Sequence, residues 1–168
     1  MINKSNIRIA KFEDLESITS IYNQAIEEKF CTADTVILTA KDRIDWFNSH
    51  TPEKYPILVC EIDNQVAGWL SISPYRAGRE ALRYTVEVSY YVNKNFRRMG
   101  IAELLLNTSI EMAKEFGYKS LFTIILDKNQ ASINLMKKFN FVQWANMPNI
   151  ADFDGQECGH VYYGIRIN

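Results

Sequence analysis

Three apolar stretches follow one another with too little chain between them for helical crossovers: Ile57 to Ile62, Val66 to Ser73 and Tyr84 to Val92. Asp63-Asn64 turns the first back onto the second, and the polar loop Pro74 to Glu80 returns the third. β-Branched and aromatic residues fill the third stretch. These spacings predict an antiparallel meander, and the rest of the chain has to fold around it.

Before the meander, Ile7 to Ala10 alternates like a short strand. Leu15, Ile18, Ile21, Tyr22, Ala25 and Ile26 then recur at helical spacing behind the acidic opening Glu13-Asp14. Thr39 to Asp42 has the form of a capping box, with Asp in place of Glu, ahead of a short helix with Ile44 and Phe47. After the meander come a basic turn, Asn93 to Met99, and a helix from about Gly100 to Phe116, with Gly117 at the C′ position. Ser120 to Leu126 reads as a strand and Ala131 to Phe139 as a helix. Phe141 to Trp144 and His160 to Ile167 read as closing strands. The expected fold is α/β (α+β): a mixed, mostly antiparallel central sheet with helices on both faces.

No repeat or linker divides the 168 residues, so one domain, 1–168, is expected. Lys and Arg number 19 against 20 Asp and Glu, a net charge of −1 that gives no general attraction to nucleic acid or to an anionic membrane. An anionic ligand therefore has to be met by a local cluster. Cys31, Cys60 and Cys158 are odd in number and far apart, and His50 and His160 are the two histidines. That set suggests neither a disulfide framework nor a metal site. The N-terminal residues 1–6 lack the apolar core of a signal peptide, and a reducing cytoplasm is the simplest location.

Arg97-Arg98-Met99-Gly100-Ile101-Ala102 lies between a predicted strand and a predicted helix. There the first free amides of the helix, two guanidinium groups and two small residues can cradle an anion. A solvated basic turn would read the same way. Neither G-x-x-x-x-G-K-[ST] nor G-x-G-x-x-G is present, which disfavours a P-loop nucleotidase or a Rossmann enzyme.

In Arg97, Gly100 and Ala102 the chain resembles the GNAT superfamily of acetyl-CoA-dependent N-acetyltransferases, whose signature is Arg/Gln-x-x-Gly-x-Gly/Ala. It is most similar to the branch that includes phosphinothricin, amino-acid and methionine sulfone or sulfoximine acetyltransferases. Ile7-Arg8 with Asp14, Tyr22-Asn23, Tyr55-Pro56, Val66-Ala67-Gly68, Thr85 to Ser89 and Asn129 to Ser132 follow in that branch's order. The resemblance implies acetyl-CoA as cosubstrate without a metal, a small-molecule primary amine as acceptor, and a homodimer.

By the same resemblance Glu87 is the candidate general base, which the chemistry needs because an ammonium of pKa about 8 is mostly charged at neutral pH. A strand carboxylate paired with Arg79 or Arg83 is the plainer reading of Glu87. The backbone of Tyr90, Tyr91 and Val92 is expected along the pantetheine arm, polarising the thioester wherever the sheet leaves an amide free. Arg97, Arg98, Met99, Gly100, Ile101 and Ala102 are expected at the pyrophosphate. Asn129 and Ser132 are expected beside the cofactor arm and equally as a helix cap. Arg76 and Arg79 are candidates for an acceptor carboxylate, or are simply exposed loop arginines.

Two departures from the family stand out. Met136 stands where the family commonly has Tyr or His, and Asn140 replaces the glycine of its Gly-Phe pair. The stretch from Asp152 to His160 also differs from the relatives, which leaves acceptor specificity open. A non-catalytic acyl-CoA-binding module and a protein N-terminal acetyltransferase are the competing readings.

Overall fold

A computed structural model describes residues 2–168; Met1, at the head of the N-terminal stretch read above, lies outside them. The chain runs β1 (Ile7–Ile9), α1 (Leu15–Glu27), α2 (Ile44–Asn48), β2 (Ile57–Ile62), β3 (Gln65–Pro74), β4 (Thr85–Val92), α3 (Ile101–Glu115), β5 (Ser120–Leu126), α4 (Gln130–Lys138), β6 (Val142–Phe153) and β7 (Gln156–Arg166). The strands form one sheet in the order β1-β2-β3-β4-β5-β7-β6. Among the described residues only β4 and β5 pair in parallel.

The two-residue period of the strands assigns their side chains to opposite faces. On β2, Leu58 and Cys60 join Leu105 and Leu106 of α3 and Met136 of α4, whereas Ile57 and Val59 join Ile18 and Ile21 of α1. Helices therefore cover both faces, as the periodicity predicts.

Local chemistry fixes where the helices begin and end. Arg8 of β1 grips Asp14 with both terminal nitrogens, at 2.6 and 2.9 Å, and also reaches Glu61 of β2. Burial alone would raise the Asp14 pKa, but the Arg8 guanidinium and the Lys11 amide outweigh it and hold the carboxyl below its usual range. The Thr39–Asp42 box forms reciprocally ahead of α2: the Thr39 amide donates to Asp42 at 2.7 Å and the Asp42 amide to Thr39 Oγ1 at 3.3 Å.

The closing strands are longer than their apolar segments, 141–144 and 160–167, indicate. Pro148 and two register shifts, at Gln143/Ala145 and Met147/Ala151, break the alternation of β6, an edge strand where proline costs no ladder hydrogen bond. Asp154 and Gly155, both left-handed at φ 54° and 86°, form a two-residue turn into β7. The divergent stretch 152–160 is thus a hairpin tip, with Phe153 and Cys158 buried against Leu126 and Phe30. A Cβ on Gly164 would fall 2.3 Å from the Trp144 ring, so this glycine makes room for the indole across β7.

Candidate active site

Between β4 and β5 the sheet opens. Their ladder consists of Thr85–Ser120, Val86–Leu121 and Glu87–Phe122 and ends there, while β4 stays paired with β3 as far as Val92–Gly68. Hydrogen bonds around the strand set its orientation. The Tyr84 carbonyl accepts from the Lys119 amide on the β5 side, at 2.8 Å. The Thr85 carbonyl accepts from Tyr75, and the Asn93 amide donates to Ala67, on the β3 side. Even-numbered residues of β4 therefore turn their backbone groups toward β5. Beyond the fork those of Tyr90 and Val92 have no strand partner, whereas Tyr91 is laddered to Trp69 of β3. The β4 backbone groups left free for a ligand beyond the fork are thus those of Tyr90 and Val92 rather than those of Tyr91.

The fork holds a cavity of about 310 Å³ lined by Ser89 to Val92 of β4, Thr123 to Ile125 of β5, Asn129, Ala131, Ser132 and Leu135 at α4, and Arg97 and Ala102 at α3. Asn129 caps α4, its side-chain oxygen accepting from the Ser132 amide at 3.2 Å, so cap and cavity wall are one element. Burial pushes the Tyr90 hydroxyl up to about 12. Tyr91 stacks edge-on against Tyr22, with centroids 4.9 Å apart.

An adjoining cavity of about 390 Å³ carries the space to the start of α3, past Arg98, Gly100, Ile101 and Ala102. The Leu104 amide is the first to bond back within the helix, to the Gly100 carbonyl at 3.0 Å, so the amides of Ile101 to Glu103 precede the helical ladder. Gly100 caps the helix at φ 80°, and nothing lies within 4 Å of where its Cβ would stand. Arg97 also bonds Glu28, the residue just past α1, at 2.7 Å, which ties the loop to the end of that helix. Met99 lies outside this group: it is half exposed and borders a separate hollow with Ile2 and Asn6. Unpaired strand groups, free helix-start amides and an unobstructed glycine fit the pantetheine arm and pyrophosphate of CoA.

Glu87 stands at the root of the fork, on the same face as Ser89, which lines the cavity. Burial raises its pKa. Arg83 pairs with Glu80 at 3.3 Å, and among the described residues Glu87 has no ion pair, so the plainer reading of a paired surface carboxylate does not hold. Arg76 and Arg79 sit on the exposed β3–β4 loop and line neither cavity. Met136 is fully buried on the inner side of α4 and lines neither cavity. Asn140 adopts φ 61°, so it supplies the left-handed turn for which the family uses glycine.

Two residues on the Glu87 face escaped the sequence reading. Arg43, only 7% exposed, lies over the rings of Tyr22, Trp46 and Trp69 at 4.5, 3.9 and 5.2 Å. Its Nη1 has no hydrogen-bond partner among the described residues. His50 bonds Ser73, which is the register partner of Glu87. The spacing Arg43-x-x-Trp46-x-x-x-His50 was the available signal, three side chains that one short helix and its two flanks bring together on this face.

A sequence model of the acetyltransferase (GNAT) family matches residues 15–141. The chain is 38% identical over 151 residues to YwnH of Bacillus subtilis, covering 89% of this chain and 91% of that protein. It is 33% identical over 163 residues to MnaT of Escherichia coli, an L-amino acid N-acyltransferase, covering 97% and 94% respectively. The structure of yncA from Salmonella typhimurium, determined with its cofactor acetyl-CoA, superposes with a TM-score of 0.89 at 28% identity, over 96% of this chain and 93% of that one. With its forked sheet, its helix-start cradle and these relatives, the chain belongs to the GNAT family of acetyltransferases.

Proposed function

We propose that residues 1–168 act as one domain that transfers acetyl from acetyl-CoA to the primary amine of a small amino acid or amino-acid analogue. The observation that carries this reading is the parting of β4 and β5 directly beyond Glu87. It sets a carboxylate at the root of a cleft that unpaired strand backbone lines and that adjoins a helix start. The relatives' acceptors, L-amino acids among them, set the substrate class.

Acetyl-CoA supplies an acyl group activated as a thioester. Glu87 takes a proton from the substrate ammonium, directly or through water, and its raised pKa suits a base that must hold that proton. The amine lone pair then forms the C–N bond, the nitrogen of the adduct gives its second proton to water, the C–S bond breaks with its electron pair on sulfur, and solvent reprotonates the thiolate. An amide of Tyr90 or Val92 stabilises the carbonyl oxygen. Arg97, Arg98 and the amides from Gly100 to Ala102 hold the pyrophosphate, and Asn129 and Ser132 hold the arm. Arg79, or failing it Arg76, grips the acceptor carboxylate.

A homodimer through the β6 edge is supported by the exposed Val142, Trp144, Met147 and Ile150 on that strand, and sedimentation of the wild type and of Met147→Lys tests it. The three free thiols suit a reducing cytoplasm. Release of CoA thiol is to be followed over a panel of free amino acids, methionine sulfone, phosphinothricin and N-terminal peptides. Turnover of the free amino compounds is expected. Preference for peptides would mark a protein N-terminal acetyltransferase, and binding without turnover an acyl-CoA-binding module.

A further inference from the structure

An attacking amine has to be held so that its lone pair meets the carbonyl carbon, and one carboxylate fixes a single N–H direction. The residue opposite Glu87 supplies a second. Ser73 is the register partner of Glu87 across β3 and β4, so both side chains leave the same face of the sheet at the root of the fork.

His50, just past the end of α2, reaches that face. Its Nδ1 lies 2.7 Å from the Trp46 carbonyl oxygen and its Nε2 lies 3.1 Å from Ser73 Oγ. A carbonyl oxygen only accepts, so Nδ1 carries the hydrogen. Burial keeps the ring below its ordinary pKa, and the charge of Arg43 acts in the same direction. The neutral ring therefore presents Nε2 as an acceptor, and the Ser73 hydroxyl donates to it. The Ser73 oxygen lone pairs are left for another donor.

We propose that Ser73, oriented by His50, is a second anchor for the acceptor amine, its Oγ accepting one N–H while Glu87 takes the proton. This rests on the amine-acetylation reading above. Ser73 is the residue that touches the substrate, and His50 is a positioning residue that acts through it. Amide formation removes two protons from the ammonium and leaves one N–H on a primary amine but none on its N-methyl counterpart, so an anchor that holds an N–H through the whole step favours primary amines.

Ser73→Ala, His50→Leu and the double variant are to be assayed with a primary amino acid and with its N-methyl form, each variant with a melting curve. The expected result is an about tenfold loss of kcat/KM for the primary amine in either single variant. The KM for acetyl-CoA should stay unchanged, and the double variant should lose no more than a single one. His50→Gln, which keeps an acceptor near the Nε2 position, should recover most of the activity, and Ser73→Ala should lose the preference for primary over N-methyl amines. Ser73→Ala within twofold of wild type, a preserved preference, or losses that multiply in the double variant would each overturn the anchor. Failure of the underlying reading looks different, since the wild type itself would then acetylate no amine.

Discussion

The two faces of the sheet are built to different rules. Beneath α3 and α4 the wall is continuous and apolar, running from Leu58 and Leu70 through Val86, Val88, Leu105 and Leu106 to Met136. Beneath α1 and α2 a smaller apolar patch around Ile18 and Trp69 shares its face with Ser71, Ser73, Glu87, His50 and the caged Arg43. Both faces come from the same strands, in which alternate residues belong to opposite layers. One layer fixes the backbone, and the other can then tolerate buried polar groups that would be costly in a core with no task beyond stability.

The sharpest break in this comparison comes from Glu87→Gln. A fall in kcat of about 10²–10⁴-fold at neutral pH is expected, shrinking in alkali as the amine deprotonates unaided. Stability should move the other way. The folded-state pKa of Glu87 is raised, so the stability it contributes at low pH is lost as pH rises from its unfolded-state value through the folded one. The variant should therefore melt higher than wild type at pH 7 and no higher at pH 4. A parallel loss of activity and of stability would place Glu87 among the structural groups.

On the opposite face, Leu105→Ala should cost about 2–5 kcal/mol of stability while the KM values of the surviving folded enzyme stay near wild type. Denaturant titration beside steady-state kinetics checks this. Gly100→Glu should weaken CoA affinity by about a hundredfold through repulsion of the phosphates, read by calorimetry, with the melt showing whether the helix start survives. The smallest effect is expected for Arg79→Ala, a severalfold rise in acceptor KM at constant KM for acetyl-CoA. If neither constant moves, Arg76 is the next carboxylate partner to test.

How far the sequence could be read follows the same division. Element order, the meander, the Thr39–Asp42 box and the Asn129 cap were legible because each depends on period or on neighbouring residues. Recognition of the Arg97–Ala102 turn likewise needed only six consecutive residues. The fork was not legible, because nothing in Tyr90 or Val92 records that β5 turns away from them. Arg43 and His50 were missed for a related reason: their partners Tyr22, Trp69 and Ser73 are distant in sequence and meet only after folding. β6 was cut short because an edge strand exposed on both sides carries no alternation to detect.

The fork also has a consequence for the exchange of backbone hydrogens with solvent. Amides of β4 that point to β3 are locked in a ladder buried from both sides, and those of Tyr90 and Val92 point instead into open space. Within one strand, protection from deuterium should therefore alternate residue by residue, slow at Tyr91 and fast at its neighbours. A bound pantetheine arm would take the place of the absent neighbouring strand and slow those two positions alone. Occupancy of the cleft could then be followed at two backbone hydrogens, with no turnover and no labelled substrate.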